Sequence, residues 1–447
     1  MPRRSKPLLS RENDLFTPLE AEPRPAACGP DPISGAGCRT GADPVRLPAD
    51  LHGELKNFRE FGSETVVETL KTPEGAEVPV YINEYWTSRQ RQAHSLHEIS
   101  YRACFKPQLP AFFISRLTRP GEVVYDPFMG RGTTLLEAAL RGRTPWGCDI
   151  NPVSARLVEP RLNPPSFQEI SARLSELPLS TEAPLREELL VFYHPEVLRA
   201  VTALRDYFAR GGTDAAGAWL RMVATNRLTG HSNGFFSVYT LPPNQAVSVR
   251  SQQRINARRE QTPPPRDVAG ILEKKSSQLL KDLTPEERAV LAAASAGARL
   301  VTASCDHTPM LPPDSVSLVV TSPPFLNEVN YQTDNWLRCW FHGLDSKDIP
   351  IWQITRLSAW RERMTAVFHE LRRVVKPGGW IAFEVGEVKS GKIRLEEAVV
   401  PAAMDAGLVP ELIMINAQEF TKTSNCWGVD NQSLGTNTNR IVLLRKP

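Results

Sequence analysis

Glu122-Val123-Val124-Tyr125-Asp126-Pro127-Phe128-Met129-Gly130-Arg131-Gly132-Thr133-Thr134 decides how this chain folds. Its first four residues read as a short strand. Asp126 closes the strand, and two glycines then turn the chain. Leu135-Leu136-Glu137-Ala138-Ala139-Leu140 follows as a run of strong helix formers. Gly142 stops that helix. Pro145-Trp146-Gly147-Cys148-Asp149-Ile150 reads as a second strand with an acid at its tip. Strand, glycine turn, helix, strand and acid make a βαβ unit.

The turn has a chemistry of its own. Gly130 and Gly132 let backbone approach a ligand closely, and the helix N-terminus presents unpaired N–H groups. Asp126 would repel a phosphate at this place, so a cationic ligand fits better, such as one carrying an ammonium or a sulfonium. Asp149 is placed to accept hydrogen bonds from ribose hydroxyls. A Gly-x-Gly turn alone also marks plain tight turns. The two acids at strand ends favour a nucleoside site.

Outward from this unit the alternation continues, then breaks. Upstream, Ala111–Leu117 has helical spacing. Val78-Pro79-Val80-Tyr81-Ile82 reads as an edge strand at best because of its proline. Residues 1–50 are rich in Pro, Arg and Gly and predict a mobile tail. Residues 51–156 form the N-terminal part of the α/β domain. Residues 157–297 read as a mostly helical insertion, with helices over Pro195–Phe208 and Pro285–Ala298. Residues 298–447 resume the alternation: strands at Ala298–Thr302 and Val316–Val320, and a helix over Ser358–Val375. A Lys376-Pro377-Gly378-Gly379 turn then feeds the strand Trp380–Val385. A helix over Leu395–Ala406 and two final strands close the chain. The expected fold is a doubly wound, mainly parallel α/β sheet with an antiparallel final strand.

The strand Val316–Val320 runs into Thr321-Ser322-Pro323-Pro324-Phe325. Neither proline has an N–H, and each fixes φ near roughly −65°. The loop therefore presents carbonyls, one hydroxyl and a flat ring, which suits gripping an exocyclic amino group on a planar base. The alternative is that Pro-Pro merely ends a strand and Phe325 is core.

Bulk properties set limits. The 447 residues are 41% apolar and 23% charged, with a net charge of only +3, so a polyanion partner must be met by a local basic patch. No run spans a bilayer and no secretory signal is evident. Seven cysteines lie scattered without a Cys-x-x-Cys pair, which disfavours a metal site and fits free thiols in a reducing cytoplasm.

Asp-Pro-Phe-Met-Gly-Arg-Gly-Thr-Thr (126–134) followed by Thr-Ser-Pro-Pro-Phe (321–325) resembles the amino-group DNA methyltransferases that use S-adenosylmethionine. The segment His97–Ile114, with Phe105-Lys106-Pro107 and Leu109, resembles the helix-forming motif ahead of that family's glycine turn. The resemblance covers residues 95–155 and 300–445 and implies a Rossmann-like methyltransferase sheet. It further implies that Asp126, Phe128, Gly130 and Gly132 hold the methionine part of S-adenosylmethionine and that Asp149 binds ribose. Asp306 would sit near the adenine ring, although Cys305-Asp306 also reads as a loop start. Lys106 is open between site and surface.

In this reading Ser322 Oγ and the Pro323 carbonyl accept N–H bonds from the target amine. This frees the nitrogen lone pair toward the sulfonium methyl. Pro324 stiffens the loop, and Phe325 stacks on a base flipped from the duplex. No Pro-Cys dipeptide occurs, which disfavours methylation at a ring carbon. Within the family, Ser at the first loop position resembles enzymes acting on cytosine N4. Adenine N6 is the alternative, and an RNA base methyltransferase or an idle nucleic-acid binder are further ones. The expected partners are double-stranded DNA and, in a restriction–modification setting, a cognate restriction endonuclease.

DNA contact falls to the insertion, the expected target-recognition region. Arg250, Arg254 and Arg258 form one stripe at i, i+4 and i+8 if helical, extended by Arg259, Lys274 and Lys275. Phosphate contact and a plain solvated face are both open. Arg89, Arg91 and Arg102 form another basic group. Thr229–Phe236 reads either as a base-approaching loop or as a buried turn. The polar stretches Phe420–Asn425 and Gly435–Arg440 are expected to line the nucleic-acid cleft through Lys422 and Arg440.

Overall fold

Alternate residues of the central strands are buried against opposite sets of helices, and this gives the sheet its two covered faces. The computed structural model describes residues 51–447 except 73–74, 88–92, 103, 212–213, 241–245, 327–328, 389–391 and 418–437. The expectations for residues 1–50, Arg89, Arg91, Lys422, Phe420–Asn425 and Gly435–Asn437 lie outside the described residues.

The chain begins with helix α1 (Leu51–Lys56) and strands β1 (Val66–Lys71) and β2 (Glu77–Asn83). Helix α2 (Gln108–Leu117) leads to β3 (Val123–Asp126), α3 (Thr133–Leu140) and β4 (Thr144–Asp149). Helices α4 (Pro152–Leu162), α5 (Phe167–Glu176), α6 (Pro195–Ala209) and α7 (Ala215–Arg227) follow, then α8 (Val249–Arg258), α9 (Val268–Leu280) and α10 (Pro285–Ser295). The sheet resumes with β5 (Arg299–Thr302) and β6 (Val316–Thr321), then α11 (Tyr331–Phe341), α12 (Leu357–Val374) and β7 (Val375–Val385). A small ribbon, β8 (Glu387–Val388) and β9 (Ile393–Arg394), precedes α13 (Glu396–Asp405), β10 (Val409–Ala417) and β11 (Thr438–Arg445).

Among the described residues nine strands form one sheet in the order β1-β2-β10-β11-β7-β6-β3-β4-β5. Strands β7, β6, β3, β4 and β5 are parallel to their neighbours in this run, while β11 runs antiparallel to both β7 and β10. Val124, Leu318, Val320 and Ala382 pack with Phe112 and Phe113 of α2 on one face. Tyr125, Val319, Ile381 and Phe383 pack with Val367 and Phe368 of α12 on the other. This period-two division is the doubly wound α/β fold expected from the sequence. Strand β6 is buried at every position, and each large apolar side chain so placed contributes roughly 1.5–3 kcal/mol.

Two readings need correction. β2 is not an edge strand, because it lies between β1 and β10. Its pairing with β10 begins at Val80, one residue after Pro79, so the missing proline N–H falls outside that ladder. Lys376–Gly379 is no turn ahead of a strand but a wide bulge within β7: Val316 pairs with Val375 and Leu318 already with Trp380. Gly378 takes φ +74° there, and its N–H donates to the Lys446 carbonyl at 2.8 Å. The edge strand on this side of the sheet is β1, with Val66 and Val67 exposed.

The helical region between β4 and β5 packs directly on the glycine-turn helix. Trp219, Leu220, Met222 and Val223 of α7 are fully buried and share one core with Leu135 and Leu136 of α3 and Leu157 of α4. Its helices start on strong signals, with capping boxes at Ser166/Glu169 and Thr284/Glu287. Among the described residues no helix is long and apolar enough to cross a membrane.

Candidate active site

From β3 the chain moves outward through β4 to β5, whereas from β6 it moves the other way to β7. The loops leaving β3 and β6 therefore diverge, and a crevice opens between the carboxyl ends of these neighbouring strands. A cleft of about 910 Å³ occupies this place. Asp126, Phe128 and Gly130 line it from the glycine turn, Asp149 and Asn151 from the end of β4, and Ser304 from the end of β5.

The two acids are held in different ways. Asp126 Oδ1 accepts from the Phe128 N–H at 3.0 Å and from Thr321 Oγ1 at 2.6 Å. The second bond joins the two sequence motifs across 195 residues. Burial pushes the Asp126 carboxyl up to about 7, against the lowering effect of these donors. Asp149 Oδ2 accepts from the Gly130 N–H at 2.9 Å and Oδ1 from the Asn151 N–H at 2.8 Å. Its carboxyl is also raised by burial. Asp149 thus clamps the glycine turn while facing the cleft. Two carboxyl groups with no ion-pair partner among the described residues suit a positively charged ligand bearing hydroxyls.

The glycines divide their work. Gly130 lies in the cleft wall with φ +47°. Gly132 is outside the wall: it caps α3 at φ +75°, and a Cβ there would lie 2.4 Å from Val158 Cγ2 on α4. A glycine is required there by helix packing. Phe128 stands edge-on to Trp352 with centroids 6.1 Å apart. Asp306 is engaged elsewhere, bonded to Arg363 at 2.7 Å and to Ser304 at 2.5 Å, and the cleft at this end is walled by Ala303, Ser304 and Cys305.

A second cavity of about 510 Å³ adjoins the cleft. Ser322, Pro323 and Phe325 line it, opposite Glu384 from the end of β7 and Asn439 from the start of β11. Phe105, Ser322 and Tyr331 belong to the walls of both cavities, and Pro324 to the first. The Pro324 carbonyl accepts from Trp360 Nε1 at 2.9 Å, so the loop is fixed from behind. Among the described residues no hydrogen bond engages the Pro323 carbonyl. Phe325 is half-buried against the α12 core and exposes one side to this cavity. Lys106 is outside both walls, although its neighbour Phe105 is in both.

Several residues of the site carry no motif. Tyr331 and Asn335 are one turn apart on α11 and both line the cleft. Glu384 is the one carboxylate within the apolar strand Trp380–Val385, and an acid in such a run was the available signal for it. Asn439 gave no signal beyond its polar neighbours.

The proposed nucleic-acid residues fare unevenly. Arg250, Arg254, Arg258 and Arg259 are all exposed on or just after helix α8. Arg259 also lies over the Tyr239 ring at 3.9 Å. Buried Gln252 anchors the helix by donating to the Tyr239 carbonyl at 3.0 Å. Two other cations expected at the nucleic acid, Lys275 of this stripe and Arg440 of the cleft lining, are buried. Lys275 is buried beside Glu98 at 3.6 Å, and its ammonium is lowered to about 8 by that burial. Arg440 is buried between Glu387 and Glu396 and bonds both, so it braces β11 and does not face a cleft. Arg102 pairs with Asp334 at 3.0 Å. Thr229–Phe236 is a buried turn: Phe235 and Phe236 are inside and only Ser232–Gly234 are exposed. Among the described residues no group of three or more His, Cys, Asp or Glu is placed to hold a metal.

Residues 53–159, which build the glycine-turn side of the cleft, match the family model of N6/N4-type DNA methylases. The type II methyltransferase M.MjaII of Methanocaldococcus jannaschii is 33% identical over 89 residues, which are 20% of this chain and 16% of that protein. The type II methyltransferase M.MvaI of Kocuria varians is 32% identical over 117 residues, 26% of this chain and 24% of that protein. The matched stretches thus span less than a quarter of either relative. Among solved structures, a geranyl diphosphate C-methyltransferase from Streptomyces coelicolor A3(2) overlaps 76% of this chain and 75% of its own, at 10% identity and a TM-score of 0.32. A SAM-dependent methyltransferase from Methanosarcina mazei overlaps 74% and 94%, at 10% identity and 0.29. The fold assignment rests on the strand order and register given above.

Proposed function

We propose that this protein is an S-adenosylmethionine-dependent DNA amino-methyltransferase whose target is the exocyclic N4 of cytosine in duplex DNA. The observation that carries the proposal is the meeting of two cavities at Ser322. One is lined by paired acids at a topological switch point, the other by the Ser-Pro-Pro-Phe loop. The DNA methylase match over residues 53–159 supports the class.

S-adenosylmethionine, when bound, supplies a methyl group on a cationic sulfur. Asp126 offers negative charge at the β3 end of the cleft, and Asp149 has lone pairs left for ribose hydroxyls. Ser322 stands at the mouth between the cavities, where Oγ can accept one N–H of the target amine. The Pro323 carbonyl can accept the other. Both bonds favour a pyramidal nitrogen with its lone pair free, and alignment at the shared wall supplies much of the rate. Phe325 provides a flat apolar side for a flipped base. The α8 arginines are the proposed phosphate contacts. Recognition of one DNA site, a cytoplasmic location and a partner endonuclease belong to the same reading.

Incubation with labelled S-adenosylmethionine and duplex DNA, followed by nucleoside mass spectrometry, tests it. N4-methylcytosine is expected. N6-methyladenine would replace the cytosine target with adenine, and label in neither would remove the function.

A further inference from the structure

We propose that Glu384 positions Ser322 and receives, through it, the proton that amine methylation releases. The inference rests on the amino-methyltransferase reading and adds a residue that lies outside both motifs. Glu384 stands at the carboxyl end of β7, opposite Ile441 of β11. It is buried yet lines the second cavity together with Ser322. Asn439 Nδ2 donates to Glu384 Oε1 at 3.0 Å, and the Ser322 side chain shares the wall of that cavity and opposes the rise of the Glu384 carboxyl.

With both groups on one cavity wall, the Ser322 hydroxyl is placed to give its proton to Glu384. A serine hydroxyl has one proton and two lone pairs. With its proton given to Glu384, Oγ turns its lone pairs toward the amine. If Ser322 instead donated to the base, it would compete for the nitrogen lone pair that the reaction needs.

The same placement solves a proton balance. Attack by R–NH2 on the methyl forms an N–C bond and breaks the S–C bond, leaving R–NH2⁺–CH3 and a neutral thioether. One proton must then leave the nitrogen to give R–NH–CH3. It passes to Ser322 Oγ as the serine proton passes to Glu384, which ends as a neutral carboxylic acid and later releases the proton to water. Burial pushes the Glu384 carboxyl up to about 7, with Ser322 and Asn439 opposing that rise. An acceptor in this range is ionised before reaction and basic enough to take the proton. The other titratable groups in this cavity wall are Cys104 and Tyr331. Arg440, the next residue on β11, is bonded to Glu387 and Glu396. No cation is among the influences on Glu384.

The test uses the full chain with duplex DNA under single-turnover conditions, at several pH values. The wild-type rate is expected to fall as pH drops through about 7, because the protonated carboxyl cannot accept. Glu384→Gln is expected to slow methylation by about 10²-fold or more, to lose that pH limb, and to bind S-adenosylmethionine as tightly as wild type. Glu384→Asp should recover part of the rate. A second readout needs no turnover. An infrared titration of the cofactor-free protein, wild type minus Glu384→Gln, should show one buried carboxyl, and Ser322→Ala should move its midpoint upward. A Glu384→Gln variant with wild-type rate, or one retaining the pH limb, overturns the role. So does a midpoint that Ser322→Ala leaves in place. Wild-type protein that binds S-adenosylmethionine but methylates no DNA overturns the proposed function, and this inference with it.

Discussion

The two cavities that meet at Ser322 are built on opposite plans. The first takes its two acids from the ends of β3 and β4, and neighbouring backbone holds them, Asp126 through Phe128 and Asp149 through Gly130 and Asn151, with Thr321 reaching Asp126 from the end of β6. The second gathers Phe105, Ser322, Glu384 and Asn439 from four separate stretches of chain. Asn439 bonds to Glu384 across the sheet. Acids seated by neighbouring backbone keep their place through local geometry. A site made from four strand and loop ends depends on the whole sheet holding register.

The comparison can be broken at its junction first. Ser322→Ala should lower single-turnover methylation by about 10²–10³-fold, with the S-adenosylmethionine affinity by calorimetry changing less than about threefold, because Ser322 is one wall residue of the first cavity but the proposed acceptor of the target amine in the second. Equal losses in rate and affinity would contradict the division. Next is the turn. Gly132→Ala meets Val158 Cγ2 at 2.4 Å and needs a positive φ, so unfolding stability should fall by about 2–4 kcal/mol. Gly130→Ala meets Tyr101 only at 3.4 Å and should cost about 1 kcal/mol of stability while weakening the cofactor. Denaturant unfolding of both variants distinguishes the packing glycine from the ligand glycine, and a Val158→Ala change should recover part of the Gly132→Ala loss.

A smaller effect concerns pH. Asp126 and Glu384 have folded carboxyls raised to about 7, above their unfolded values near roughly 4. Between those values the folded state holds more protons than the unfolded chain. Their contribution is therefore full below about pH 4 and is lost as pH rises through about 7. Glu384→Gln should remove one such group and raise stability at pH 8, relative to wild type, by about 1–3 kcal/mol. Melting curves at pH 5.5 and pH 8 check the sign. The smallest expected change lies outside both cavities. Arg254→Ala on the exposed face of α8 should weaken DNA binding severalfold and reduce the salt slope by about one, with the saturated rate unchanged.

What was legible in the sequence follows the same division. The βαβ unit, Asp126, Asp149 and the Ser-Pro-Pro-Phe loop could be read because strand, turn and acid are adjacent in the chain and each type has a local physical reason. The sheet's parallel core and antiparallel β11 followed from that alternation. Glu384 and Asn439 were missed because their meaning depends on β7 and β11 pairing, which no local pattern records. Pro79 misled because propensity speaks of a strand and not of where its ladder begins. Lys275 and Arg440 were read as DNA-facing cations because charge alone does not reveal a carboxylate partner, here Glu98 or the pair Glu387 and Glu396.

The bond from Thr321 to Asp126 spans 195 residues, and it carries a consequence for biosynthesis. While the chain emerges from the ribosome, β3, α3 and β4 are complete long before β6 exists, and the helices from α4 to α10 emerge in between. Those helices share a core with α3 and α4, so they can cover one side of the growing sheet while its other neighbour is still missing. The crevice at the end of β3 thus acquires its second lip last. Nascent chains halted before Thr321 would hold the acids without the loop that gives them a purpose.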